Sequence, residues 1–414
     1  MINEKIENYN IRFLSILVSL VPFALITGPL VPDIILSFSA FIFLLLIKKH
    51  EIKNYFFNKF TIIFLIFYFY ILFLSFISKN YLLSLESTLF YFRFWFFVLA
   101  TIYCLKKDLI FIKIFYFFLF FIILFIIIDC IIQIIFGYNI TFNKVDYRRL
   151  SGIFGDERVL GSYLVRTFPL LLALYFHDKI YKNLIFFSNS KFLLFLVFSS
   201  MVLILMSGER SSIGLMLVFI FVCYFIFKFS YKIKTVLLSL VFIFFAILLY
   251  FNNRLFERLS NFTYKQFFSD SGFHFFSPQH EVIFITAIKI FKDNTFFGIG
   301  PKLFREICFD YPTYTIFDNT VNGCQSHPHN IYLQLLSETG IIGFLFIFMF
   351  FLIISFEILK KTFYNKSNNY YSSILALCVF INLWPFFPTG NFFNNWMSML
   401  YVLPLGFLLG NKIK

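Results

Sequence analysis

The chain has 414 residues, 60% of them apolar and 14% charged, with a mean hydropathy of +0.85. Soluble domains are about 45–50% apolar and about 25% charged, so composition excludes a soluble globular protein, and this hydrophobicity excludes intrinsic disorder. The net charge of +14 is first a topology signal rather than a nucleic-acid footprint. The 71 Phe residues match what an AT-rich genome encodes.

A spanning helix needs about 20 mostly apolar residues. Twelve such runs follow in chain order, centred on 11–27, 30–47, 60–78, 86–105, 109–136, 159–176, 192–207, 212–228, 233–251, 341–358, 371–389 and 394–410. No small-residue cleavage site follows the first run, so no removable signal peptide is expected. The expected fold is an all-α integral membrane protein of about twelve transmembrane helices, with one large periplasmic loop containing short helices. Residues 1–251 then hold the first nine helices, 252–340 the loop, and 341–414 the last three.

The connections alternate in character. Lys48-Lys49-His50, Lys106-Lys107-Asp108, Lys179 to Lys182, Lys228 to Lys234, Lys360-Lys361, Lys412 and Lys414 form a lysine-rich set. The positive-inside rule puts these segments, and with them both termini, in the cytoplasm. Lys79 to Glu86, Gly137 to Arg158, Ser207 to Ser212, residues 252–340 and Gly390 to Asn395 face outward. The cytoplasmic set holds 19 of the lysines and a single arginine, Arg12, whereas the outward set holds seven arginines. Lysine suffices for orientation; arginine is concentrated on the other side.

Long loops without structure are uncommon and often functional. In residues 252–340, Ser277 and Pro278 predict the start of one helix, apolar over Val282 to Phe291. A second helix is expected from Pro328 to Glu338, stopped by Gly340. Cys308 and Cys324 fall in this loop, where an oxidising compartment allows a disulfide. Closing that loop contributes on the order of 3 kcal/mol. The other four cysteines fall in spans and act as small hydrophobes.

Several chemistries lack their motif. No GxxxxGK[ST] cradles a nucleotide phosphate and no HExxH binds zinc. His327-Pro328-His329 offers two imidazoles with no third ligand fixed by spacing. No cofactor and no metal is expected. What remains is four outward groups: Arg148-Arg149-Leu150-Ser151-Gly152, Gly208-Glu209-Arg210-Ser211-Ser212, Gly298-Ile299-Gly300 with Arg305, and Ser326-His327-Pro328-His329-Asn330.

Arg210 sits in a short interhelical turn and cannot wander from the membrane boundary. Guanidinium forks onto phosphate, keeps its charge and desolvates more readily than ammonium. A lipid-linked pyrophosphate lies at that depth. Glu209 beside it offers a structural ion pair as the plainer alternative. Arg166 and Arg93 lie inside spans, where arginine is costly and usually faces a cavity or the bundle interior. Asp129 is a potential partner for either. His329, expected in the first turn of the second loop helix, would be kept neutral by the helix dipole, as a general base requires.

These groups, in this order, resemble the O-antigen ligase and O-antigen polymerase superfamily of bacterial envelope glycosyltransferases. The resemblance runs from about Arg149 to Phe346. It is carried by Arg149-Leu150-Ser151-Gly152-Ile153-Phe154 with Leu160-Gly161-Ser162-Tyr163-Leu164, by Ser207-Gly208-Glu209-Arg210-Ser211, and by Asn294-Thr295-Phe296-Phe297-Gly298-Ile299-Gly300. It is completed by His327-Pro328-His329-Asn330 with Glu338-Thr339-Gly340-Ile341-Ile342-Gly343. It implies a metal-independent inverting transfer from undecaprenyl pyrophosphate, in the bacterial inner membrane with a periplasmic active site. Arg149 and Arg210 would hold the pyrophosphate and His329 would deprotonate the acceptor hydroxyl. Arg166, Arg305, Glu209, His327 and Asn330 are the substrate-binding candidates. Family members often carry an arginine at the start of the first loop helix, where this chain has Gln279-His280. Arg305 or Arg258 would then have to supply the third phosphate contact.

The expected partners are the lipid-linked glycan, a lipid A-core or glycan acceptor, and membrane lipid, with no nucleic acid. An O-antigen ligase is the favoured reading. An O-antigen polymerase shares the donor chemistry, and a polysaccharide flippase or other transporter is the alternative from a different class.

Overall fold

A computed structural model of the chain describes residues 2–177, 190–269, 272–311, 323–364, 369–410 and 412. Lys179, Lys182 and Lys414 of the lysine-rich set lie outside the described residues. The described residues are mostly helical; Phe268–Ser269 pairs antiparallel with Gly272–Phe273 as a two-stranded ribbon.

Six helices among the described residues are long and apolar enough to cross a membrane, or seven if the bent pair Leu30–Leu46 and Lys49–Phe56 counts as one crossing. The other five expected crossings are apolar helices of 13–17 residues: Leu160–Tyr175, Ser190–Met206, Arg210–Ile226, Tyr370–Asn382 and Asn395–Gly410. At 1.5 Å per residue they measure about 20–26 Å, short of the roughly 30 Å hydrocarbon core. Length and composition therefore do not reach the twelve crossings expected from sequence. Many large apolar side chains on Lys59–Ile77 and Tyr231–Phe251 are exposed, as suits helices solvated by lipid.

The chain divides into two compact units. The first comprises Met1–Ile35, Cys104–Thr263 and Ser355–Asn382; the second comprises Leu36–Tyr103, Tyr264–Ile354 and Leu383–Lys414.

In the first unit, Leu160–Tyr175 is the central helix, packed against Phe111–Phe136, Ser190–Met206, Arg210–Ile226 and Tyr370–Asn382. Nearly all its side chains are buried, as a helix apolar all round requires. The Tyr163 hydroxyl donates to the Pro22 carbonyl at 2.7 Å, satisfying its polar tip inside the core. Gly137, at φ 81, ends Phe111–Phe136 in the left-handed region, where a residue without Cβ is not penalised.

In the second unit, Asn58 caps Lys59–Ile77 by accepting from the N–H groups of Phe60 and Thr61, each at 3.1 Å. The long helix Ile331–Leu359, which belongs to this unit as far as Ile354, is broken at Gly340, at φ 65. A break strands carbonyls that a continuous helix would satisfy. Here the Asn294–Gly300 segment supplies the donors. Ile299 N–H donates to Ser337 O at 3.0 Å and Gly300 N–H to Glu338 O at 2.9 Å, while Ile341 N–H donates to Thr295 O at 2.8 Å. The Tyr70 hydroxyl donates to Thr339 O at 2.7 Å. A Cβ on Gly298 would overlap the Glu338 backbone, and one on Gly340 the Phe296 carbonyl. Two motifs forty residues apart are thus one backbone clasp.

Candidate functional site

The first unit gathers the arginines. Leu150 N–H donates to Met206 O at 3.0 Å, which stitches the Arg148–Leu150 segment to the turn before Arg210. The Arg258 Nε donates to Gly208 O at 3.0 Å, and a Cβ on Gly208 would press on Arg258 and on the Arg148 carbonyl. Arg210 Nη1 reaches the Thr263 hydroxyl at 3.5 Å. Arg149, Arg210 and Arg258 are close enough for their charges to act on one another.

That crowding has an electrostatic signature. Burial first, then the charges of Arg149 and Arg210, push the Arg258 guanidinium down to about 10. Burial lowers Arg149 too, opposed chiefly by Glu209, with Arg158 lowering it further. Like charges held at partial burial are unfavourable until an anion joins them.

Glu209 is otherwise engaged. Its carboxylate accepts from Gly161 N–H at 2.7 Å, Ser162 N–H at 3.1 Å, the Ser162 hydroxyl at 2.8 Å and the Ser212 hydroxyl at 3.0 Å. Gly161 and Ser162 open the central helix, so the carboxylate sits where orphan N–H groups and the dipole favour an anion. Burial nevertheless leaves Glu209 above the usual carboxylate range, against the pull of these hydrogen bonds and of Arg149. Through these bonds Glu209 fastens the arginine turn to the helix that carries Ser162 and Arg166.

Arg166 is buried and donates through Nη1 to Ser162 O at 3.0 Å. Asp129 accepts from Asn139 Nδ2 at 3.3 Å and Ile140 N–H at 3.0 Å, and so secures the loop that follows its own helix. In the second unit, the Arg93 guanidinium lies over the Phe94 ring, 5.0 Å from its centroid.

The histidines belong to the second unit. The helix expected from Pro328 begins at Ile331 instead, because Asn330 is its cap: Asn330 Oδ1 accepts from Tyr332 N–H at 2.9 Å and Leu333 N–H at 3.1 Å. The Asn330 amide also donates to Pro385 O at 2.8 Å. His329 therefore precedes the helix, in the left-handed region at φ 54, an uncommon conformation for a residue with a Cβ. Its carbonyl is held by Thr389 N–H at 2.8 Å.

The His327 and His329 rings lie 4.1 Å apart, and the His280 ring lies 5.6 Å from His329, edge to face. Burial lowers His329 below its usual value. Burial, then the charge of His329, pushes His327 down to about 3. Burial, rather than the dipole of a first helical turn, is what lowers His329.

His280 escapes sequence reasoning because nothing in its neighbourhood marks it. Pro278–Asp293 forms the expected helix with Pro at its first turn. Ser277 does not cap the helix backbone; its hydroxyl meets His280 Nδ1 instead. The only available signal was Ser277 three residues before His280, a spacing that reads as an ordinary helix start.

Arg305 is in this unit, in the short helix Phe304–Ile307, near enough to act on His327 and Glu338. The buried Glu338 carboxylate accepts from Phe304 N–H at 3.2 Å and Gln334 Nε2 at 3.0 Å. Of the two candidates for a third arginine, Arg258 joins Arg149 and Arg210, and Arg305 joins the histidines. Cys308 and Cys324 form a disulfide, with Cα atoms 5.1 Å apart, packed against Ile283, Ala287, Ile290 and Phe304. No group of three metal-ligating side chains suited to an ion occurs among the described residues.

An all-α membrane protein with a crowded arginine cluster and a half-buried histidine turn is the class these observations define. Residues 194–348 match the O-antigen ligase family. The match covers little more than a third of the chain and makes that stretch similar to the O-antigen ligase and polymerase superfamily of membrane glycosyltransferases. It spans Arg210, Arg258, Arg305, His327 and His329 and leaves Arg149 and Arg166 outside. No curated protein matches the chain.

Proposed function

We propose that this protein moves a glycan from undecaprenyl pyrophosphate to an acceptor hydroxyl on the periplasmic side of the bacterial inner membrane, as an O-antigen ligase with lipid A-core as acceptor. The observation that carries the reading is the crowding of Arg149, Arg210 and Arg258, next to a carboxylate, Glu209, that four protein donors already occupy. Such a cluster is complementary to a polyanion, and a pyrophosphate leaving group gains negative charge in the transition state. Fixed cations stabilise that charge without reorganising, and one such contact can be worth roughly 3–4 kcal/mol.

His329 takes the proton of the attacking hydroxyl, and His327 and His280 hold its ring. Glu209 keeps the arginine turn in place, and Arg166, on the helix it is fastened to, contacts the donor. The donor is preactivated, so the step needs neither nucleotide nor metal, and a single displacement inverts the anomeric centre. In the membrane topology that accompanies this reading the five shorter helices also cross, both termini are cytoplasmic, and residues 252–340 form the periplasmic loop.

A deletion strain tests the assignment. Loss of all glycan-capped lipopolysaccharide, with long lipid-linked glycan accumulating, supports a ligase. Capping by single repeat units overturns it in favour of a polymerase. In vesicles given donor and acceptor, full transfer by both Arg210→Ala and His329→Ala overturns the enzymatic roles and favours a transporter.

A further inference from the structure

The second unit contains a cavity of about 660 Å³ that neither cluster uses, a size typical of sites for small ligands. Its walls are the end of the Lys59–Ile77 helix, the Asp293–Gly300 stretch and the residues after the Phe304–Ile307 helix. Its chemistry comes from Lys79, Asp293, Asn294, Phe297, Asp310 and Tyr311. We infer that this cavity is a saccharide subsite, taking a short run of neutral or amino-bearing sugar rings.

The lining has the groups that sugars require. Carboxylates accept from adjacent ring hydroxyls, an amide both donates and accepts, and aromatic faces cover the apolar faces of pyranose rings. Phe297 is 49% exposed on the cavity rim, and the Tyr311 hydroxyl meets the side chains of Asp293 and Asn294. The backbone of this wall is fixed, because Ile299 and Gly300 are bonded to the broken helix. Lys79 and Asp310 form a loose ion pair at 3.9 Å with both side chains largely in solvent. A pair of that kind contributes little, so sugar hydroxyls can replace it. Two aspartates against one lysine repel phosphate, which separates the cavity from a lipid-headgroup or pyrophosphate site.

The inference rests on the glycan-transfer reading only for the source of the sugar; binding is measured without transfer. Purified full-length protein in micelles is titrated with chitotriose, maltotriose and trigalacturonate, followed by saturation-transfer NMR. A neutral trisaccharide is expected to saturate the protein, with the triacid at least tenfold weaker. Asp293→Asn combined with Tyr311→Phe is expected to weaken neutral trisaccharide at least tenfold while leaving geranylgeranyl pyrophosphate binding within twofold. Asp310→Asn, at an exposed carboxylate, serves as the variant that does not endanger folding and is expected to weaken the same sugar severalfold. Absence of saturable neutral-sugar binding, or unchanged binding in these variants, overturns the subsite.

In a transfer assay, a raised KM for acceptor alone assigns the sugar to the acceptor, and a raised KM for donor alone assigns it to the lipid-linked glycan. Both values unchanged overturns the subsite. Saturable sugar binding by a protein that transfers nothing keeps the subsite and removes the transferase reading; transfer without such binding does the reverse.

Discussion

The arginine cluster and the histidine turn solve opposite problems. In the first unit the unfavourable element is charge: Arg149, Arg210 and Arg258 repel one another. In the second unit it is the backbone: His329 is left-handed at φ 54, beside Asn330, which caps the next helix. A group that must grip a polyanion is best prepared by surplus charge. A group that must accept one proton is best prepared by fixed position and a neutral ring. Strain of either kind persists only where surrounding contacts over-determine it.

The largest expected effect tests the histidine side. His329→Ala is predicted to lower transfer about 10²–10⁴-fold, the usual worth of a positioned acid or base. The pH profile sharpens the point. Burial lowers His329 below its usual 6.5, so the acid limb of the activity profile is expected below that of a free histidine. His280→Ala admits solvent to the ring and is expected to move this acid limb up towards 6.5, with a smaller loss of rate. An unmoved limb in His280→Ala leaves that histidine with a packing role only.

The arginine side comes next. Arg210→Ala is predicted to cost about 10²–10³ in kcat, comparable to losing one preorganised donor to a developing charge. Arg210→Lys keeps the charge and loses the fork, so it should recover part of the rate. If alanine and lysine behave alike, geometry rather than charge defines the cluster, and the contrast between the two regions fails.

A third effect separates stability from chemistry. Gly340→Ala forces a Cβ into the left-handed region and into the Phe296 carbonyl. The predicted cost is about 1–3 kcal/mol or more, read as a lower unfolding temperature in micelles. The rate per folded molecule should change far less than in His329→Ala, because the clasp holds backbone and carries no charge to the reaction.

Much of this was legible in the sequence, for reasons that differ by level. Apolar runs announce helices because lipid tolerates little else, and each expected run contains a helix. Their use as crossings was less legible, because five are short and hydropathy does not measure where a helix ends. The motif around Gly298 and the one around Gly340 were recognisable as strings. Their joint purpose was not, since a backbone-to-backbone contact leaves no side-chain signature beyond the glycines themselves. Arg210 stood out by position in a short turn, and Arg149 by the motif it shares with the resembled family. Arg258 and Arg305 were indistinguishable as third members, because only packing assigns one to each unit. His280 was invisible, and Glu209 was readable as an acid but not as a helix anchor.

Glu209 gives the smallest and most discriminating test. Glu209→Gln keeps the shape and removes the charge. The amide can accept through one oxygen only, so its NH₂ faces N–H and O–H groups that the carboxylate had satisfied. Leaving such donors unmet costs about 1–3 kcal/mol, measurable as a fall in unfolding temperature. The sign at the cluster is opposite. Removing the anion raises the net positive potential at Arg149, whose charge Glu209 supports, so a pyrophosphate ligand added to the folded protein should bind at least as tightly as to wild type. A variant that is less stable yet grips pyrophosphate equally well assigns Glu209 to architecture. A variant that is stable but loses pyrophosphate moves Glu209 into the binding site and ends the separation of anchor from cluster argued for the first unit.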